Sequence, residues 1–134
     1  MGKDQERIDA GLIQKGPLRL TCDAAGKWTK DGSTSLGTST TSGIYNMKPA
    51  DTLIVAISAA ADAVAILVLP SLQEAAGKFY YVSAPTGLAA GDISVYEKET
   101  GAELATYGDL DADDDHVLLF SDGIQWRVIL DGVA

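Results

Sequence analysis

The chain has 134 residues, 46% of them hydrophobic but only 7% aromatic, and a formal net charge of −9. This length suits one domain with one core, and the abundance of small apolar residues favours a thin β sandwich or barrel over a thick helical bundle. Residues 1–50 hold seven basic and five acidic residues, whereas residues 51–134 hold three and fourteen, so the second part carries −11, repels phosphate and argues against nucleic-acid binding.

The N-terminal residues do not resemble a targeting signal. Residues 1–11 lack the apolar stretch of a secretory signal, and Glu6 stands where a myristoylation motif requires Ser or Thr. The longest apolar run, residues 52–69, contains Ser58 and Asp62 and is a poor membrane span. We therefore expect a soluble protein that is made in a cytoplasm and does not enter a membrane.

The first third of the chain predicts an arm and one early strand. Residues 1–16 are polar and punctuated by glycine, which is typical of an extended arm. Residues 18–22 alternate apolar and polar side chains, so they predict a short strand with Cys22 in the core. The Gly-, Ser- and Thr-rich stretch at 24–41 is expected to lie extended on another surface. Within it, Trp28 is either a docking anchor for a partner or a residue that packs on its own domain.

The composition changes near residue 50, which divides the chain into an N-terminal arm with an early strand (1–50) and an acidic β domain (51–134). Two apolar runs open the second part, at 52–57 and 63–69. One long helix is the alternative, because alanine is frequent between them. The clustering of Val and Ile favours two strands, since β-branched side chains suit the pleated backbone.

The middle of the chain predicts short elements separated by turns. Residues 71–76 predict a single helical turn, which Gly77 ends. Residues 78–83 form an aromatic strand, and 92–96 pair with 103–107 as a hairpin. The fold expected from the whole pattern is all-β: an antiparallel β sandwich or small barrel with a C-terminal β-hairpin, one short helical turn and an extended N-terminal arm.

The C-terminal hairpin has the clearest local pattern. Two β-rich runs, 116–121 and 124–130, flank the dipeptide Asp122-Gly123. An Asp-Gly pair between two such runs is typical of a two-residue type I′ turn, which fixes the register of the strands. The predicted register pairs Ser121 with Ile124, Leu119 with Trp126, and Val117 with Val128.

The two faces of this hairpin differ in composition. One face carries three large apolar residues, Leu118, Phe120 and Ile129, next to polar residues that include Arg127. A mixed face of this kind often packs against another subunit or segment, so we predict that these four residues contact a partner. The other face is expected in the core and carries Val117, Leu119, Ile124, Trp126 and Val128.

An acidic loop at 108–115 is the candidate metal site. Asp109, Asp111 and Asp113 alternate in a D-x-D-x-D pattern that can place carboxylates around Ca²⁺. The EF-hand pattern is not met, because Phe120 occupies the position that requires glutamate. The alternative is a solvated, open loop that binds no ion.

Catalytic residues are sparse. His116 is the single histidine in the sequence. A site with several histidine ligands is therefore excluded, and any Ser-His-Asp triad would have to use His116. Neither G-x-S-x-G, Walker A nor H-E-x-x-H occurs in the sequence. We therefore predict that the protein is not an enzyme and uses no cofactor, apart from the Ca²⁺ considered above.

Several segments resemble a known group of proteins. They are EAAGKFYYVSAPTG at 74–87, which follows Leu69-Pro70, DISVYEKETG at 92–101, and HVLLFSDGIQW at 116–126. In this order they resemble the small β-rich virion proteins of tailed bacteriophages, which include capsid decoration (cement) proteins and modules of tail fibres. Residues 1–50 show no such resemblance.

The resemblance implies a structural role. It implies a capsid decoration protein that binds subunits of the major capsid protein, assembles with itself as a homotrimer or another symmetric oligomer, and stabilises the phage head from the capsid surface. The alternative is a tail-fibre or baseplate module that binds a receptor on the host surface. Neither function requires turnover.

Overall fold

The computed structural model describes residues 17–23, 27–30, 34–35, 43–58, 65–84, 93–111 and 114–133. These residues form two β-sheets and one short 3₁₀ helix, which confirms the prediction of an all-β protein. In the same ranges, no helix has the length and apolar character needed to cross a membrane. The predicted arm at 1–16 lies outside the described residues.

The two sheets differ in size. The larger has seven strands and the smaller has four. In spatial order the large sheet contains β11 (Trp126–Gly132), β10 (Asp115–Ser121), β7 (Phe79–Ala84), β5 (Leu53–Ser58), β1 (Leu18–Cys22), β2 (Trp28–Lys30) and β3 (Thr34–Ser35). The small sheet contains β4 (Ile44–Asn46), β6 (Ala65–Val68), β8 (Ile93–Tyr96) and β9 (Asp109–Leu110).

The strands β4 to β8 alternate between the two sheets. Because each strand in this stretch is followed by one in the opposite sheet, strands that become neighbours run in the same direction: β5 is parallel to β7, and β6 is parallel to both β4 and β8. Strand β1 is also parallel to β5. The sheets are therefore mixed, which corrects the prediction of an antiparallel sandwich.

Alternating side chains form the core between the sheets. In β1, Leu18, Leu20 and Cys22 are buried while Arg19 is exposed, as the sequence pattern predicts. The two apolar runs that follow residue 50 are the strands β5 and β6, and not one helix. Because β1 lies between β5 and β2, the early strand belongs to the same sheet as the C-terminal hairpin.

The segment after β8 differs from its prediction. Residues 103–107 do not return as a strand; a single bridge joins Glu103 to Tyr96, and a 3₁₀ helix follows at Ala105–Gly108. The amide of Leu104 donates to the carbonyl of Val95 at 2.9 Å, which turns the chain back over β8. At Gly108 a Cβ would meet that carbonyl oxygen at 2.5 Å, so the close approach requires glycine.

The segment predicted as a helical turn forms a hydrogen-bonded turn at 72–77. Here the amide of Ala75 donates to the carbonyl of Ser71 at 3.0 Å. Gly77 ends the turn at a φ of +79°, a conformation that glycine adopts without strain. This turn packs beside the C-terminal hairpin, since the amide of Gly77 donates to the carbonyl of Ser121.

Candidate functional site

The turn of the C-terminal hairpin is longer than the sequence predicts. Ser121 pairs with Trp126, so four residues connect β10 and β11, and the predicted type I′ register is wrong by two residues. The carboxylate of Asp122 explains the difference, because its Oδ1 accepts hydrogen bonds from the amides of Ile124 at 2.8 Å and Gln125 at 2.7 Å. A side chain that satisfies two turn amides stabilises the longer loop.

A β-bulge interrupts the same hairpin at Ile129. Leu119 pairs with Val128 and Leu118 pairs with Leu130, which leaves Ile129 as an extra residue in β11. A bulge reverses the alternation of side chains beyond it. Leu130 therefore lies on the same side of the sheet as Leu118.

The core face of the hairpin is largely as predicted. Val117 and Leu119 are fully buried, Trp126 is 7% exposed and Val128 packs against the core. Ile124 is the exception, because the longer loop leaves its side chain 85% exposed.

The opposite side of the large sheet, here called the outward face, brings the predicted interface residues together. Phe120 lies opposite both Phe79 of β7 and Arg127 of β11, and Leu118 lies opposite Tyr81 and Leu130. The rings of Phe79 and Phe120 are 4.8 Å apart between centroids. We define the apolar patch as the hairpin end of this face: Phe79, Leu118, Phe120, Ile129 and Leu130.

Parts of the apolar patch are open to solvent. Phe79 and Ile129 are each 53% exposed, and Leu130 is 48% exposed. Phe79 and Leu130 were not among the predicted interface residues. The aromatic pair Phe79-Tyr80 was a usable signal for the first, because adjacent residues of a strand point to opposite faces and only one of them can enter the core.

Arg127 is positioned at the border of the apolar patch by the hairpin turn. Its Nε donates to Oδ2 of Asp122 at 3.0 Å. The amides of Gln125 and Ile124, followed by the Arg127 guanidinium, lower the pKa of Asp122 below its usual value. Because the pair is exposed to solvent, its strength is small and the guanidinium can exchange partners.

Trp28, the other predicted contact residue, lies inside the molecule. Its side chain is 3% exposed and its indole N–H donates to the carbonyl of Gly43. This burial supports the alternative in which Trp28 packs on its own domain. A partner would reach very little of its surface.

The structure describes two of the three predicted calcium ligands. Asp109 lies in β9, Asp111 is exposed just after it, and Asp113 lies outside the described residues. In the part of the chain that the structure describes, no group of three or more His, Cys, Asp or Glu side chains is placed to hold a metal ion. Asp115 is buried at the start of β10 instead of lying in an open loop.

The contacts of His116 and the burial of Cys22 fit a structural role for both residues. The Nδ1 atom of His116 lies 2.8 Å from the carbonyl oxygen of Asp114, its ring lies 5.9 Å from that of Tyr81, and a Cβ at Gly132 would collide with it. Cys22 is fully buried, and this burial raises the pKa of its thiol to about 11. Ser121 faces the core, where its hydroxyl donates to the carbonyl of Leu72.

No family model, curated protein or solved structure matches this chain. Its function is therefore inferred from the chemistry of its own residues. Four of the predicted interface residues, Leu118, Phe120, Arg127 and Ile129, share the hairpin end of one sheet, and three of them contribute to the apolar patch. This exposed apolar patch is a surface suited to bind another protein.

Proposed function

We propose that this protein is a structural virion protein: a capsid decoration (cement) protein that binds subunits of the major capsid protein and stabilises the head of a tailed bacteriophage. The observation that carries the proposal is the apolar patch on the outward face of the large sheet. It presents Phe79, Ile129 and Leu130 to solvent at 53%, 53% and 48% of their surfaces.

The patch has the properties of a protein-binding surface. Its residues come from three adjacent strands, β7, β10 and β11, so the sheet holds them in fixed relative positions. Each Å² of apolar surface removed from water contributes about 25 cal/mol. A pre-ordered patch keeps this contribution, because few side chains lose freedom when the partner binds.

The sequence resemblance supports the choice of partner. The segments that resemble small phage virion proteins include β7, β8 and the hairpin turn that borders the patch. Homotrimer formation and a place on the capsid surface belong to the same proposal. A native mass of three chains for the free protein would support the trimer, and any other mass would remove that part of it.

The copy number in purified virions tests the proposal. Quantitative mass spectrometry of the encoding phage should find hundreds of copies per particle, as for other components that tile a shell. A handful of copies would assign the protein to the tail and would favour the fibre or baseplate alternative. Absence from the particle would reject both.

Deletion of the gene provides an independent test. Particles that lack the protein should release their DNA at a lower temperature, or sooner in chelator, than wild-type particles. Supplying purified protein to the deleted particles should restore the resistance. Deleted particles that are as stable as wild type would contradict a decoration role.

A further inference from the structure

The outward face differs in charge from the rest of this acidic protein. Across the described strands of the large sheet, the residues on this face include two arginines and no aspartate or glutamate, although the whole chain carries −9. These residues are Arg19, Thr21, Thr29, Leu53, Val55, Ile57, Phe79, Tyr81, Ser83, His116, Leu118, Phe120, Arg127, Ile129, Leu130 and Gly132.

Several acidic residues of the described chain lie in turns, in the small sheet or on the other side of β11. Glu74 belongs to the turn at 72–77, and Glu97, Glu99 and Glu103 surround the end of β8 in the small sheet. Asp131 pairs with Val117, whose side chain lies in the core. The side chain of Asp131 therefore leaves β11 on the side opposite the outward face. Asp122 lies in the hairpin turn, where it pairs with Arg127.

The two arginines lie on different strands of the outward face, one bordering the apolar patch and one distant from it. Arg127 lies next to Phe120 at the edge strand β11, and Arg19 lies next to Val55 on β1, four strands away in the same sheet. Both side chains are exposed. A guanidinium carries five N–H donors in a planar arrangement that matches a carboxylate.

We infer that the outward face binds a protein surface that is apolar at its centre and bordered by carboxylates. This inference rests on the proposed function, under which that surface belongs to the major capsid protein. Such a partner is complementary to the two arginines and to the apolar patch that Arg127 borders. The same partner is repelled by the acidic residues elsewhere on the chain, so charge also selects which side of the protein can dock.

Charge-reversal variants test the inference on empty capsid shells of the encoding phage. The double variant Arg19→Glu/Arg127→Glu should bind these shells about tenfold more weakly or worse, because two carboxylates would then face the carboxylates of the partner. Wild-type binding should weaken as salt is raised, and the salt dependence should be smaller in the double variant.

Lys98→Glu is the matched control. Lys98 is exposed in the turn after β8, in the other sheet, so its reversal changes the net charge without changing the outward face. We expect it to bind the shells as wild type does. Equal weakening by Lys98→Glu would show that net charge alone matters and would overturn the inference.

Two further outcomes separate the inference from the proposed function. Failure of the wild-type protein to bind the shells would reject the proposed function, whereas wild-type binding with no effect of the double variant would reject the inference alone. A change in the native mass of the free protein on Arg19→Glu/Arg127→Glu would assign the face to a second copy of this chain and would also overturn the inference.

Discussion

Phe120 lies directly opposite Phe79 across β10 and β7, with their ring centroids 4.8 Å apart and their planes inclined by 47°. Paired aromatic rings on adjacent strands hold each other in place. Both rings point away from the core, so a partner can contact them without any rearrangement of the sheet.

The first prediction concerns this aromatic pair. Phe79→Asp should reduce binding to capsid shells about tenfold or more, because it removes an exposed aromatic ring and places a charge in the apolar patch. Its far-ultraviolet circular dichroism should match that of wild type, since the side chain lies outside the core.

Ala102→Asp is the charge-matched control for Phe79→Asp. Ala102 is exposed in the turn after β8, in the small sheet and away from the apolar patch. The control should bind shells as wild type does. Normal binding by Phe79→Asp, or equal loss in both variants, would show that the patch is not the contact surface.

The second prediction compares the two tryptophans. Both are buried, but the indole N–H of Trp28 donates to Gly43, whereas Nε1 of Trp126 has no hydrogen-bond partner among the described residues. Trp28→Phe should therefore lower the free energy of unfolding by about 0.5–1.5 kcal/mol more than Trp126→Phe. This difference in unfolding free energy stays small because the Gly43 carbonyl keeps a second donor, the amide of Ile66, when the indole is removed.

Urea denaturation of the two variants measures the difference between the tryptophans. Because both substitutions remove the same atoms, the loss of packing is similar in each and largely cancels in the comparison. A larger loss for Trp126→Phe would show that its indole N–H has an acceptor in solution.

The third prediction is a loss of stability at alkaline pH. The hydroxyl of Tyr45 donates to Oδ2 of Asp51 at 2.7 Å, and burial, followed by this carboxylate, raises the pKa of Tyr45 above its usual value of about 10. Burial also raises the pKa of Tyr80 to about 12. Because both tyrosines hold their protons more tightly in the folded state than in the unfolded state, they stabilise the fold fully below pH 10. This stabilisation is lost as the pH rises above 10.

Unfolding free energies at several pH values between 8 and 12 test this expectation. Wild-type stability should fall above pH 10 by up to about 1.4 kcal/mol per pH unit for each of the two tyrosines. Tyr45→Phe should remove one tyrosine's share of that slope; the raised pKa of Cys22, about 11, adds a share of its own. Tyr107→Phe, a control on an exposed side chain, should leave the slope unchanged.

The fourth prediction is that Cys22 is unreactive in the folded protein. Its thiol is fully buried, and burial raises its pKa to about 11, so little thiolate exists at pH 8. Ellman's reagent should label Cys22 slowly in buffer and at once in urea. Ile124→Cys adds a thiol at an exposed position and should be labelled at once in buffer; equally fast labelling of the wild-type protein would contradict the burial of Cys22.

Strand positions were predictable from sequence because burial alternates along a strand. The alternation in 18–22 and the β-branched runs after residue 50 identify β1, β5 and β6. The same alternation does not reveal which sheet a strand joins. The winding of β4 to β8 between two sheets, and hence their parallel pairing, therefore could not be read from local patterns.

The register of the hairpin shows a second limit of sequence patterns. Ile124 and Trp126 are two residues apart, so registers that start at either one place the same side chains in the core. The choice between them depends on the turn, where the carboxylate of Asp122 stabilises a four-residue loop. The two registers differ in which residues pair across the strands and in whether Ile124 lies in the core.

The candidate site was partly predictable. Leu118, Phe120 and Arg127 follow from alternation in the hairpin, since the hairpin turn shifted by an even number of residues. Phe79 was not predicted, because it joins the site through the pairing of β7 with β10, which are 30 or more residues apart in the chain. Leu130 joins because the bulge at Ile129 reverses the alternation, and no local signal marks that bulge.

The winding of the chain between the sheets also determines how the protein folds. Pairings such as β4 with β6, β5 with β7 and β6 with β8 skip the strand that lies between them in sequence, so none can form as a local hairpin. Chains that must close such distant pairings fold slowly, because loop entropy is lost before contacts compensate for it. We therefore expect the middle of this molecule to fold slowly, and a chain that stops before β8 leaves β6 without a neighbour on one side.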